Sequence, residues 1–558
     1  MLLALALAAT VAPSLLADSA DRRAPELWIP PGVEDLPGGE DELRAALDDD
    51  LDSGLPGALP VAFIAAMVEL EPKRYGASIQ EAYRRYGFVT LGSRPRVPVG
   101  MVEQVSLGIR VHQFNCLACH AAVDPLPGPK GERRLVIGAP NRSVDFSGWF
   151  FDLFSTLRRR ADAARAATGG PDTGGPDTGS GDSVSPAEHR ERTSARLLAE
   201  VLAAARRGLQ ARGQTLGAAD RLVLGALTRN AVADSFAGRS SSRGPVRYGA
   251  GRTVVHAAYR TIRFGLDPGP YAPIKPPDLF GVRFRQSLLW GGQETYEPGT
   301  TPAERIARNG MLVPWIQINP FTRKPISDRL TLQRAPRYLA MGRRLALATP
   351  PPVPLPDAAT RARMARGRRH FERSCALCHG SYELDRVPRS DGSPGLRARP
   401  VDYEESLIPA AELGVDQNFT RTDRPDFRRA FLASGLGRAG LFKPRITKAF
   451  VPRPLLGLRL RAPYLHNGSI PNLAALLTPP SERPRRFVVG RAVPYDPRAV
   501  GLKLLPVEDV PDAEEARIRA GLFVRDGERP GNQPSGHPFG TELSPTEKAE
   551  LIEFLKRL

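Results

Sequence analysis

Apolar residues recur at helical rather than strand spacing along most of the 558-residue chain. The clearest case is C-terminal. Leu551, Phe554, Leu555 and Leu558 fall on one face, and Ser544-Pro545-Thr546-Glu547 ahead of them makes a capping box with Pro at the first helical position. The Ala/Arg/Leu-rich stretches from Phe151 to Ala167 and from Pro186 to Leu216 predict two more helices, and Asp357 is the N-cap expected for another that runs towards Cys375. Period-two alternation is almost absent. The expected fold class is therefore mainly α, with long loops and at most small hairpins.

Breaks in this pattern divide the chain. Pro350-Pro351-Pro352-Val353-Pro354-Leu355-Pro356 is incompatible with a helix and marks a stiff Pro-rich linker over 349–356, between a first unit at 95–348 and a second at 357–558. Residues 21–94 form an N-terminal extension. Gly169-Gly170-Pro171-Asp172-Thr173 recurs at once as Gly174-Gly175-Pro176-Asp177-Thr178, a low-complexity insertion over 166–188 with nothing to bury. Leu2 to Leu16 is apolar but short for a span, and Asp18, Arg22 and Arg23 follow it. Residues 1–20 are thus signal peptide-like, no stable membrane span is expected, and the lack of Lys or Arg before the run leaves room for a start further upstream.

Gly and Pro number 53 and 55, which excludes neither an ordinary core nor long ordered loops but does exclude coiled-coil and collagen architectures. The formal charge is 78 − 60 = +18. Its Arg residues are scattered (Arg158 to Arg160, Arg206 and Arg207, Arg366, Arg368 and Arg369, Arg483, Arg485 and Arg486), and no nucleic-acid motif accompanies them. A solvated surface is the reading, with docking of an acidic redox protein as a secondary role.

The four cysteines sharpen the picture. They fall as Cys116-Leu117-Ala118-Cys119-His120 and Cys375-Ala376-Leu377-Cys378-His379, leaving none over. C-x-x-C-H is the attachment signature of c-type haem: two thiols one turn apart form thioethers to the porphyrin, and the next residue faces the iron as proximal ligand. Zinc and two disulfides, the first competing uses, give no reason for His after both pairs, and a thioredoxin-like pair would want a βαβ context that is absent here. Eight residues before each motif stand Gly108 and Gly367, and four before, His112 and Phe371. A short helix is expected to lead into each motif. The cofactors expected are two covalently bound haem c, which implies an exported protein, periplasmic or secreted.

The sixth ligand decides whether a haem iron carries electrons or does chemistry. No Met follows Cys375, whereas His466 and His537 do. His537 is preferred because its loop, Gly536-His537-Pro538-Phe539-Gly540, precedes the terminal helix. For the first motif the nearest downstream histidines, His189 and His256, are remote, which is the expectation for an iron left open to peroxide or dioxygen. His189 and His370 are read as structural.

At these residues the chain resembles the bacterial dihaem cytochrome c peroxidase superfamily. Ala462-Pro463-Tyr464-Leu465-His466-Asn467-Gly468-Ser469, continuing to Leu473, is similar to that superfamily's signature near the second haem. The run through Pro479 to Pro484 and Phe487 to Gly490, with the Gly-His-Pro-Phe-Gly-Thr segment, is closest to the rubber-oxygenase-like branch. The resemblance covers roughly residues 95 to 558 and implies two cytochrome c-like haem domains, with His120 and His379 as proximal ligands and His537 as distal ligand of the second haem. It also implies that Trp290 passes electrons between the haems. Gly291 and Gly292 stand where the family has Asp after this Trp. Glu304 is the nearest candidate for the peroxidases' acid/base carboxylate, and Arg305 or Arg308 stands where their Gln is expected. The function expected is a dihaem oxidoreductase in which electrons pass through the second haem to a peroxidase-like reaction at the first, with a small redox protein as donor or acceptor. The alternatives are a dioxygenase cleaving an apolar, polyisoprene-like substrate and a plain electron carrier.

Overall fold

The computed structural model describes residues 25–29, 39–48, 58–92, 97–168, 185–237, 248–253, 259–315 and 324–558. The leader-like residues 1–20, the tandem repeat at 169–178 and His256 lie outside them.

Helices dominate, joined by long loops and by small sheets of two or three strands. In the N-terminal half, β1 (Leu59–Pro60) leads into α1 (Val61–Leu70), whose residues Val61 to Val68 are all buried. A helix apolar all round from Val61 to Val68 belongs inside a core rather than at its edge. It is enclosed by α2 (Phe146–Ala167), α3 (Pro186–Gln210) and α4 (Ala218–Phe236), and by a hairpin of β2 (Met101–Ser106) and β3 (Ile109–Phe114). His189 is buried on α3, where its Nε2 meets the Arg165 carbonyl at 3.2 Å and the Thr168 hydroxyl at 3.0 Å, a structural role.

The segment before the first motif departs from the helix expected there. Leu107 and Gly108 both adopt positive φ, 51° and 74°, and so form the tight turn of the β2–β3 hairpin, and β3 runs extended to Phe114. Two consecutive left-handed residues suit a two-residue hairpin turn, and Ile109 and Val111 favour strand. Before the second motif the expectation holds: α7 (Ala358–Ser374) begins at Asp357, whose carboxylate accepts from the Thr360 N–H at 2.7 Å. Between these lie α5 (Pro302–Gly310) and α6 (Ala335–Ala346). The Pro-rich stretch is docked: Val353 and Pro354 pair with Leu396 and Gly395 at the edge of a hairpin.

The terminal helix α8 (Pro545–Leu555) carries the capping box read from sequence, and it crosses α7, where Phe371 and Phe554 meet at 5.3 Å between ring centroids. Gly367 sits at the crossing, and a methyl group there would run into the Glu550 carbonyl. His370 also lies at the crossing, its Nε2 3.1 Å from the Glu550 carboxylate, again a structural role. One hydrophobic core extends from Leu117 in the first motif to Phe371, Leu551 and Phe554 beside the second. Gly367→Ala is expected to cost about 1–3 kcal/mol by overpacking this crossing, seen as a lowered midpoint in denaturant unfolding.

Candidate functional site

Both C-x-x-C-H motifs fold into the same single turn. The His120 N–H donates to the Cys116 carbonyl at 3.0 Å and the His379 N–H to that of Cys375 at 3.1 Å, so each pair of sulfurs shares a turn with its histidine. The imidazoles are held alike. His120 Nδ1 meets the Pro277 carbonyl at 3.0 Å, and His379 Nδ1 meets the Arg453 carbonyl at 2.8 Å. A carbonyl on Nδ1 fixes the tautomer and leaves Nε2 free to ligate, the usual support of a metal-binding His. Burial lowers both rings to about 4, so they are neutral at ordinary pH. Burial also raises the thiols, Cys119 to about 11 and Cys375 to about 12. Among the described residues no three His, Cys, Asp or Glu gather closely enough to hold one metal ion by themselves.

The second motif opens on a cavity of about 590 Å³, walled by Leu455, Leu458, Leu473, Leu477 and Leu555 among others. His537 lies across it, its ring centroid 6.3 Å from that of His379, a separation that leaves space for one metal atom with about 2 Å to each nitrogen. Burial, then His379, lowers His537 to about 4. Its loop is tightly specified. The His537 N–H donates to the Leu413 carbonyl at 2.8 Å, and buried Arg483 donates to the carbonyls of Leu476, Thr478, Pro534, Gly536 and His537. His537 itself takes φ of 49°, a left-handed conformation that a non-glycine residue adopts only when its surroundings impose it. His466 borders the same cavity, but its ring packs on Phe450 at 4.5 Å and Phe419 at 6.0 Å. Of the two histidines left open by sequence, His537 is the one placed face to face with His379.

A short strap ties the two motifs together. Pro276 and Pro277 hold 275–278 extended and contribute no N–H groups of their own. The Lys275 carbonyl accepts from Trp290 Nε1 at 3.0 Å, the Pro277 carbonyl from His120, and the Asp278 carbonyl from Arg453 Nη2 at 2.8 Å. Trp290 thus stands at the cavity wall, under the Arg453 guanidinium 5.0 Å from its ring. Around the strap, buried Asp278 meets Arg461 at 3.0 Å and Arg453 at 3.6 Å, and the Lys275 ammonium donates to the carbonyls of Arg461 and Pro463. Burial would raise Asp278, but Arg461, Arg453 and Lys275 hold it below the usual carboxylate range. Burial lowers Lys275 to about 7 and Arg453 to about 9. Three basic groups face one carboxylate, and Arg453 Nε and Nη1 are buried without hydrogen bonds. An apolar slot with an unmatched cationic wall and two facing imidazoles fits a planar metal macrocycle bearing carboxylates.

Sequence reasoning missed further residues. Glu304 is half-buried and caps α5, sharing a capping box with Thr301, so the helix terminus explains it. Glu294 is buried instead. Both its oxygens accept from Asn309 Nδ2, at 3.0 and 2.9 Å, and Oε2 accepts from the Tyr296 hydroxyl at 2.8 Å. Burial raises it to about 7. The residue after Asn309, Gly310, abuts the first motif: a Cβ there would stand 3.8 Å from Cys116 Sγ. The only sequence signal was the acidic residue four places beyond Trp290.

Residues 449–488, which contribute Phe450, Val451 and Arg453 to the cavity, match the RoxA-like, cytochrome c-like family. Haem c is the cofactor such a domain implies. The chain is similar to two Sinorhizobium fredii proteins, uncharacterized protein y4iJ, 39% identical over 119 residues, and uncharacterized protein y4iM, 31% identical over 193 residues. These alignments cover 20% and 34% of the chain, and 18% and 43% of the relatives' own lengths, so the chain spans less than half of each. No described helix is long and apolar enough to cross a membrane.

Asp278→Asn leaves Arg453 and Arg461 without their shared counter-charge and is expected to cost about 3–5 kcal/mol, measured by denaturant unfolding.

Proposed function

We propose that this protein is an exported dihaem c-type cytochrome, related to the dihaem peroxidase superfamily at its rubber-oxygenase-like branch, and an oxidoreductase with a peroxidase-like reaction at its first motif. Cys116, Cys119 and His120 would hold one haem, and Cys375, Cys378, His379 and His537 the other. The observation that carries the reading is the 6.3 Å pairing of His379 with His537 across the cavity. When bound, each haem supplies a one-electron iron couple, and the axial ligands set whether it also binds a small oxidant.

The residues divide the work. His379 and His537 would hold the second haem between them, which would close the second motif to exogenous ligands and suit it to electron transfer. Trp290, hydrogen-bonded to the strap that supports His120 and stacked on the residue that supports His379, stands on the route between them. Glu294 supports the peroxidase-like reaction: held near 7 by burial, and bonded to Asn309, whose neighbour Gly310 abuts Cys116, it keeps a proton to give to a leaving oxygen below that pH. The oxygenase reading, cleavage of an apolar polyisoprene-like substrate, is favoured by the RoxA-like match at 449–488.

Expression with haem-attachment machinery is expected to give two haems per chain by mass spectrometry, with one low-spin and one high-spin EPR signal. In His537→Ala the low-spin signal converts to high-spin. A colourless product, or two low-spin signals, would sink the reading. Peroxide turnover with a reduced small cytochrome is expected to fall as pH rises through about 7, as Glu294 loses its proton. Glu294→Gln is expected to lower it by about 10²–10⁴-fold and to flatten that limb. Cleavage of polyisoprene without peroxide turnover favours the oxygenase.

A further inference from the structure

We propose that Tyr83 is a redox-active tyrosine, giving one electron to the haem held at Cys116 and Cys119 once a peroxide has oxidised that haem, and its phenolic proton to His112. The inference rests on the haem reading above.

Three polar side chains form a line from the N-terminal core towards its surface. Tyr83, on the helix Ile79–Arg85, is 1% exposed, and its hydroxyl bonds to Nδ1 of His112, which is 0% exposed. His112 stands directly opposite Glu103 in the β2–β3 register, and its Nε2 lies 2.9 Å from the Glu103 carboxylate. Arg110 and Arg212 hold that carboxylate from outside, at 2.9 and 3.2 Å. The hydrogen bond from His112, with these cations, holds Glu103 down to about 2, so it is an ionised acceptor. The direction of the line follows. Glu103 takes the Nε2–H, Nδ1 is left with its lone pair, and the Tyr83 hydroxyl must donate.

This arrangement suits oxidation of a buried phenol. Removing an electron alone would leave a cation in a core lined by Phe88, at 5.5 Å from the Tyr83 ring, and Trp149, at 4.9 Å. With His112 in place the O–H bond breaks, the electron leaves for the haem iron, which is reduced by one, and the proton stays on Nδ1. The phenoxyl is then neutral, and the new imidazolium is offset by Glu103. Tyr86 and Tyr296 donate instead to the carboxylates of Asp152 and Glu294, and Tyr75 bonds to the Thr156 hydroxyl. The first motif is near. Cys116 is four residues beyond His112, at most about 14 Å along extended chain. Tyr83 would drain an oxidising equivalent from the first motif when no donor has arrived.

The test mixes the haem-loaded full chain with hydrogen peroxide, without donor, and freezes it for EPR. An organic radical is expected that narrows when the protein carries ring-deuterated tyrosine. It should fall at least tenfold in Tyr83→Phe and several-fold in Glu103→Gln, with haem content unchanged. Glu103→Gln keeps the Tyr83 ring in place, so it decides the matter if Tyr83→Phe fails to fold. A radical of undiminished strength in either variant, one that narrows only with deuterated tryptophan, or no radical in a fully haem-loaded chain overturns the proposal. A colourless product overturns the haem reading and this proposal together.

Discussion

Much of the arrangement hangs on Asp278, one carboxylate buried among Lys275, Arg453 and Arg461. Its charge anchors Arg453, whose carbonyl orients His379, and it belongs to the segment whose Pro277 carbonyl orients His120. Buried ions are costly unless each is paired, so a carboxylate in this position fixes the relative placement of everything bonded to it. The two histidines and Trp290 therefore share one backbone reference. Shifting the strap would shift all three.

The same cluster sets the electrostatics of the cavity. Desolvation draws Lys275 and Arg453 towards neutrality, and one Asp does not balance them. The remaining potential is positive on one wall of a slot in which leucines are the commonest lining residue. Such a surface recruits an anionic edge and an apolar face at once, which is the amphiphilic shape that a porphyrin with its carboxylates presents.

The terminal helix, its capping box and the Asp357 cap were legible in the sequence because each depends on neighbours a few residues apart. So were the two motif turns. The β2–β3 hairpin was not: Leu107 in the left-handed region is an unusual choice, and His112 and Gln113 interrupt the alternation because both polar side chains are buried. His537 could be preferred but not chosen, since its pairing with His379 joins residues 158 positions apart. Glu294 and Asp278 were invisible for the same reason. A carboxylate's environment comes from chains distant in sequence, whereas Glu304 looked promising only by proximity and turned out to belong to a helix end.

Arg483 carries a last consequence. Its guanidinium gathers five main-chain carbonyls, and among the described residues it has no carboxylate partner, so the loop presenting His537 is held by peptide dipoles alone. Burial brings this guanidinium only to about 10. Acidification or added salt, which loosen ordinary ion pairs, leave such a clasp intact, and the span between the facing imidazoles is insulated from the chemistry of the surrounding medium.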